Sequence, residues 1–259
     1  MHAHQDKGDI MSTDIAHLFT RQQRLDVVVP ETISIVGVGG IGFWVALNAA
    51  MLGVDKLVLY DPDTIENHNR NRLPLAEEDV GKNKVVAARE YIQRIRPDCT
   101  VFALPMAINE ISMSQLEGFV FICTDTLSSQ GSVRTHCVEN NLPFLRLGYD
   151  GRHFTMENKE TMDGVFSVEE EPDDRGQYTV VPSYVLTPQL ISGIALTLCD
   201  MNVWRGFPRR KPEIDISGNI FHLGQAILQG EIFSQELRYP DRLADGVQML
   251  AADGRRIRI

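Results

Sequence analysis

Residues 33–42 read Ile-Ser-Ile-Val-Gly-Val-Gly-Gly-Ile-Gly, and Asp61 closes a second apolar run. A strand, a glycine turn and a helix start form the usual device for holding a nucleotide phosphate, with an acid about 20 residues on. Gly37 lets the chain turn sharply off the strand. Gly39 removes a Cβ where a phosphate approaches the backbone, Gly40 belongs to the same turn, and Gly42 lets the helix pack close to the sheet. Amides at the helix start point at the anion, and the helix dipole favours its charge. The Asp61 carboxylate stands where it can accept hydrogen bonds from ribose hydroxyls. By itself this pattern is compatible with NAD, FAD or ATP.

These residues need a sheet to position them. Ile33–Val36, Lys56–Tyr60, Thr100–Leu104, Phe119–Cys123 and Phe144–Leu147 read as strands. The near-continuous apolar run at 119–123 fits a buried parallel strand. Helices are expected at Ile41–Leu52, capped by Gly53, at Asn83–Ile95 before Pro97, and at Ser129–Asn140. The second of these should face inward through Val85, Val86, Ala88, Tyr91, Ile92 and Ile95. A short amphipathic helix is expected within 13–28. The alternation of strands and helices predicts an α/β fold, a Rossmann-like, doubly wound, mostly parallel sheet. Residues 61–83 form a long loop without periodicity, and loops of that length are usually functional. After Gly148 the pattern becomes irregular. Short strands are expected at Arg152–Met156, Gly164–Val168 and Asn219–Gly224, with an apolar helix at Pro188–Val203 and an acidic loop at 169–176. The expected organisation is a flexible extension at 1–12, with Met11 as an alternative start, and a single domain at 13–259. Its halves are 13–148, for nucleotide binding, and 149–259.

The 259 residues, 43% hydrophobic and 23% charged, suffice for one well-cored domain. A net charge of −10 disfavours nucleic acid as a partner. No run is long enough to span a membrane, residues 1–12 lack the apolar core of a signal peptide, and cytoplasm is the expected compartment. The four cysteines, Cys99, Cys123, Cys137 and Cys199, include no Cys-x-x-Cys pair, so no zinc is expected.

The loop reads Asp61-Pro-Asp63-Thr-Ile-Glu-Asn-His-Asn69-Arg70-Asn71-Arg72, then Asp79-Val-Gly81-Lys-Asn-Lys84, and later Cys123-Thr-Asp125. In this order and spacing the sequence resembles the ThiF/MoeB-type adenylyltransferases of the ubiquitin-activating enzyme superfamily. Phe19-Thr-Arg21-Gln22 is similar to the Tyr-x-Arg-Gln segment that precedes the first strand in that family. The resemblance covers roughly residues 19–150. It implies ATP-dependent adenylation of the C-terminal carboxylate of a small ubiquitin-like or sulfur-carrier protein, or of a peptide, with release of pyrophosphate. It implies that Arg72 and Lys84 contact the phosphates, with Asp63 and Asn69 beside them, and that Asp125 holds Mg²⁺. Arg21 matches the family's arginine finger, which reaches into a partner subunit's site and implies a homodimer.

The bland readings are solvated charges for Arg72 and Lys84, a helix cap for Asp125 and a local ion pair for Arg21. His68 and Arg70 are expected to shape the loop, and His136, His153 and His222 to have no special role. Thr126 stands where the family has an amide, the zinc cysteines are absent, and residues 149–182 contain no cysteine. The resemblance therefore supports adenylation and stops short of a thioester. Two other classes stay open. A non-catalytic nucleotide-binding module would not release pyrophosphate. An NAD-dependent oxidoreductase needs the glycine turn and Asp61 but not Asn69, Arg72, Lys84 or Asp125.

Overall fold

The computed structural model describes residues 17–25, 27–158, 182–199, 214–219, 248–250 and 256–258. The expected strand at Gly164–Val168, the acidic loop at 169–176, residues 1–12 and His222 lie outside them.

Strand β1 (Thr32–Val36) leads through the glycine turn into helix α1 (Gly40–Leu52), and β2 (Lys56–Tyr60) follows. Gly53 ends α1 in the left-handed conformation, φ 108°, its amide and that of Val54 donating to Ala50 and Ala49 carbonyls. Helix α2 (Lys84–Ile95), β3 (Thr100–Leu104), a one-turn helix α3 (Glu110–Met113), β4 (Phe119–Ile122), α4 (Leu127–Glu139) and β5 (Phe144–Asp150) continue the alternation. Then β6 (His153–Glu157), α5 (Leu186–Thr197) and β7 (Asp215–Asn219) follow; β8 (Gln248–Leu250) and β9 (Arg256–Arg258) form a separate antiparallel pair.

The main sheet has seven strands in the order β3-β2-β1-β4-β5-β6-β7. The first five are parallel, and β6 and β7 add antiparallel. The chain steps outward from β1 to β2 and β3, then returns to β4 on the other side of β1. Such a reversal opens a crevice at the carboxyl ends of the two central strands. Register puts Val36 level with both Tyr60 and Ile122, so Gly37, Asp61 and Cys123 leave the sheet side by side.

Period-two alternation assigns each strand residue to one of two cores. Ile33, Ile35, Leu57, Leu59, Phe121 and Leu145 pack under α1, α2 and α5. Val36, Val58, Tyr60, Val120 and Ile122 pack under α3 and α4. Helix α1 lies between sheet and α5, which is why its apolar residues run all round.

Three expectations need correction, and a fourth is covered only in part. Of the amphipathic helix expected within 13–28, residues 17–18 are helical, a 3₁₀ turn spans Gln22–Leu25, Leu18 and Leu25 are exposed, and 13–16 lie outside the described residues. Docking here comes from Gln22 Nε2, which donates to the Leu52 carbonyl (2.6 Å), and from Phe19 stacked under Arg96. Residues 61–83 contain 3₁₀ turns at Asn67–Asn71 and Glu77–Asp79. Ile95, in the last turn of α2, is exposed rather than inward. The last sheet strand runs at 215–219 rather than 219–224, of which only Asn219 is described.

Candidate functional site

The crevice begins with the glycine turn. Gly37 has φ +91°, and its amide donates to the Tyr60 carbonyl (2.8 Å). A Cβ there would sit 2.8 Å from the Cys123 carbonyl and the Thr124 nitrogen, so the turn is wedged against the end of β4. A Cβ on Gly42 would come within 1.9 Å of the Gly37 carbonyl oxygen. Gly40 lies under the Tyr149 hydroxyl, whereas nothing lies within 4 Å of a Cβ built on Gly39. Gly39 is the N-cap of α1 with no side-chain cap, so backbone amides and the positive end of a 13-residue helix face the opening.

One wall rises from β2. Asp61 is 5% exposed. Its Oδ2 accepts from the Val38 amide (2.7 Å) and its Oδ1 from the Asp63 amide (2.9 Å). Burial raises its pKa, with the Lys84 charge and the two amides opposing. Lys84 Nζ pairs with Asp63 Oδ2 at 2.7 Å and stands 3.9 Å from Asp61 Oδ1. Asn83 caps α2 by accepting from the Val85 amide, and its Nδ2 donates to the Asp61 carbonyl. Asn69 is buried, and its Oδ1 accepts from the Glu66 amide in a capping box.

Above this wall lies the Asn67–Asn71 turn. Arg70 Nη1 donates to Asn67 Oδ1, and His68 Nδ1 lies 3.4 Å from Glu66 Oε2, so both shape the loop. Arg72 Nη1 donates to the His68 carbonyl and to Asn71 Oδ1, both at 3.1 Å. Arg72 Nε is buried and has no partner among the described residues. Trp44 of α1 donates to the Arg72 carbonyl (2.7 Å), fixing this turn over the helix. Ser183 bridges the mouth: its carbonyl accepts from Asn71 Nδ2 (2.9 Å), and its hydroxyl lies 2.5 Å from the Tyr149 hydroxyl.

The opposite wall continues β4. The Cys123 amide donates to the Val36 carbonyl (2.8 Å). Thr124 Oγ1 is buried without a partner among the described residues, and Asp125 is exposed. Thr126, not Asp125, occupies the N-cap of α4, and no side chain caps that helix. The capping alternative for Asp125 is therefore not realised.

Arg21 stands apart from all of these. Its neighbour Gln22 is tied to Leu52, the last residue of α1, whereas the glycine turn is at the first. A helix of that length spans about 20 Å. Arg21 is exposed, and within one chain the structure does not bring it to the crevice.

The sequence reading missed Trp44, Tyr149, Ser183, Gln130 and Arg146. The one available signal was an arginine inside the apolar run Phe144-Leu-Arg-Leu147. None of the four cysteines is disulfide-bonded, and burial pushes every thiol pKa upward, Cys99 to about 11 and Cys137 to about 12. Among the described residues, no three His, Cys, Asp or Glu cluster to hold a metal, and no helix is long and apolar enough to cross a membrane.

A family model described as ThiF family matches residues 12–202. Curated relatives include "Ubiquitin-like modifier-activating enzyme 5" of Bombyx mori, 33% identical over 123 residues, which are 42% of this chain and 31% of that protein. The protein of the same name from Caenorhabditis elegans is 30% identical over 132 residues, 46% of this chain and 32% of that protein. The chain thus matches about a third of the length of these relatives. Among solved structures, E. coli tRNA N6-threonylcarbamoyladenosine dehydratase, TcdA, superposes with a TM-score of 0.60 at 18% identity, covering 76% of this chain and 98% of that one. PaaA gives 0.57 at 20% identity (85% and 76% covered), and E. coli MccB with MccA gives 0.53 at 20% (73% and 63%). These likenesses carry the fold.

Proposed function

The chain belongs to the ThiF family, and from that premise we propose that it activates a carboxylate with ATP. In the proposed reaction a carboxylate oxygen of the substrate attacks the α-phosphorus of ATP. The bond from that phosphorus to the oxygen bridging to the β-phosphate breaks, pyrophosphate leaves with the electron pair, and an acyl-adenylate remains. The reaction brings two anions together, so fixed positive charge and aimed donors must do most of the catalysis.

One observation carries the reading. At the β1/β4 reversal the glycine turn is wedged against Thr124, whose buried Oγ1 the described residues leave unpartnered, as they do Arg72 Nε in the loop after β2. Buried polar atoms normally have partners, and a phosphate supplies oxygens for both. Arg72 and the α1 amides would bind phosphate. Lys84, itself 14% exposed, would turn from Asp63, whose 64% exposure to solvent weakens that side of the pair, toward the same charge. Asn69 would keep the Arg72 turn in shape, and Asp61 has lone pairs left for ribose hydroxyls.

The donor set also fits Mg²⁺, which typically takes one or two carboxylates plus phosphate oxygens and waters. Asp125 would hold it, and the ion would neutralise phosphate charge.

We assign the substrate as the C-terminal carboxylate of a small ubiquitin-like or sulfur-carrier protein, or of a peptide. The names of the curated relatives support a ubiquitin-like modifier, and the MccB complex with MccA supports the wider class. Arg21 would act across a homodimer, because its own crevice lies at the far end of α1. The buried, high-pKa thiols support adenylation without a thioester on this chain.

The test is exchange of labelled pyrophosphate into ATP in the presence of candidate carriers, with thermal shifts by ATP and by NAD alongside. Carrier-dependent exchange and stabilisation by ATP alone are expected. Stabilisation by NAD alone would make this an oxidoreductase, and ATP binding without exchange for any carrier or peptide would make it a binding module.

A further inference from the structure

Behind the β4 wall lies a buried polar chain that reaches the site only through the Thr124 carbonyl. Gln130, in the first turn of α4, donates from Nε2 to the Thr124 carbonyl (2.6 Å). Its Oε1 accepts from Arg146 Nε of β5 (2.7 Å). Arg146 Nη1 in turn donates to Glu157 Oε1 of β6 (3.0 Å) and lies 3.3 Å from Thr155 Oγ1. Arg146 and Glu157 are register partners in the antiparallel β5–β6 pair. A Cβ built on Gly148 would press on Thr155 Oγ1 at 3.0 Å and make ordinary contact with Arg146 Nη2 at 3.4 Å. Gln130, Arg146 and Glu157 are all 6% exposed or less.

We propose that Gln130 and Arg146 are positioning residues for the adenylation site, fixing the Thr124–Asp125 turn to the β5–β6 pair. The proposal rests on the functional reading above. Thr124 and Asp125 continue an apolar strand but make no side-chain bond of their own among the described residues. The Gln130 bond to the Thr124 carbonyl is the side-chain tie that holds the turn from behind. A glutamine suits this position because it donates to a carbonyl with one end and accepts from a guanidinium with the other.

The charge balance supplies a discriminating variant. Arg134 lies one helical turn after Gln130, on the same face of α4, and is 7% exposed; its Nε has no partner among the described residues. Among the described residues, these two buried arginines share one buried carboxylate, Glu157. Burial lowers the pKa of both guanidiniums, which the Glu157 charge opposes. Gln130→Glu adds a carboxylate beside Arg146 Nε and one turn from Arg134, so it relieves this imbalance. It also removes the N–H that holds the Thr124 carbonyl and sets an acceptor against an acceptor.

The experiment compares wild type, Gln130→Glu and Gln130→Met in three measurements: Tm, amide hydrogen exchange of a peptide spanning 123–127, and ATP–pyrophosphate exchange against Mg²⁺ concentration. For Gln130→Glu the expected result is an unchanged or higher Tm with faster hydrogen exchange at 123–127. Its kcat for pyrophosphate exchange should fall about 10- to 100-fold, the order expected of a reacting group displaced by about 1 Å. Gln130→Met should show the same loosening with a lower Tm, because Arg146 Nε loses its partner. Wild-type hydrogen exchange at 123–127 in Gln130→Glu, or a loss of activity that only follows a loss of Tm, would overturn the proposal. If wild type itself gives no pyrophosphate exchange, the functional reading fails, and the hydrogen-exchange measurement still decides whether Gln130 holds the turn.

Discussion

On the β2 side of the crevice, Asp61, Asp63, Lys84, Asn69 and Asn83 direct their polar atoms at one another and at the backbone. On the β4 side, Thr124 Oγ1 has no partner among the described residues, and Asp125 is an exposed carboxylate. The Asp61 cluster of the first wall is internally paired, while Arg70 Nε and Arg72 Nε in the loop above it have no partner among the described residues. The second is tied through the Cys123 amide to Val36 and, among the described side chains, from behind by Gln130 on the Thr124 carbonyl. The difference separates two kinds of site residue. A group that the fold already satisfies supports shape as well as ligand, so removing it disturbs both. A group that the fold leaves open can be removed at small structural cost, and its loss falls on the chemistry.

The sharpest way to break this comparison is Asp125→Ala. Exchange of pyrophosphate into ATP should fall by roughly 100-fold or more, with Tm within a degree or two of wild type. Retained exchange would remove the metal assignment. Arg72→Ala should cost about 10- to 100-fold in the same assay, the worth of charge-assisted hydrogen bonds to phosphate, again with a modest change in Tm. Asp61→Ala should behave oppositely, since two buried backbone amides lose their acceptor. A destabilisation of about 3 kcal/mol in urea is expected, together with weaker ATP binding. A variant as stable as wild type would show that the β2 wall is not built as described.

The smallest effect concerns the thiols. Cys99 and Cys137 have folded pKa values raised from 9.0 to about 11 and about 12. A raised folded value means that their contribution to stability is complete below pH 9 and is lost as pH rises toward 11–12, because only the unfolded thiols ionise in that window. Denaturation at pH 8 and pH 10.5 should show a smaller loss in Cys99→Ala than in wild type. Alkylation at pH 8 should be slow until denaturant is added.

The sheet and the glycine turn were readable because their signals are local. Apolar runs such as Phe119-Val-Phe-Ile122 fit strands covered on both faces, and Gly37, Gly53 and Asn83 are residue types that their backbone positions favour. The β7 strand was displaced in the sequence reading because Asp215-Ile-Ser-Gly-Asn219 carries turn residues, and pairing with β6 overrides that preference. Arg21 carried a recognisable motif, but its distance from the crevice depends on how residues 19–22 dock on α1. The polar chain from Glu157 to Thr124 was illegible for a similar reason. Its members come from α4, β5 and β6, and only the closed sheet makes them neighbours.

The central claim is that this crevice directs a carboxylate oxygen at the α-phosphorus of ATP. A carrier or peptide that supports pyrophosphate exchange is supplied with both oxygens of its free C-terminal carboxylate labelled with ¹⁸O, hydroxylamine consumes the acyl group, and the released nucleotide is weighed. AMP carrying one ¹⁸O is expected, since attack at the acyl carbon leaves the former carboxylate oxygen on phosphorus. Unlabelled AMP, or ADP with ¹⁸O in inorganic phosphate, would contradict it.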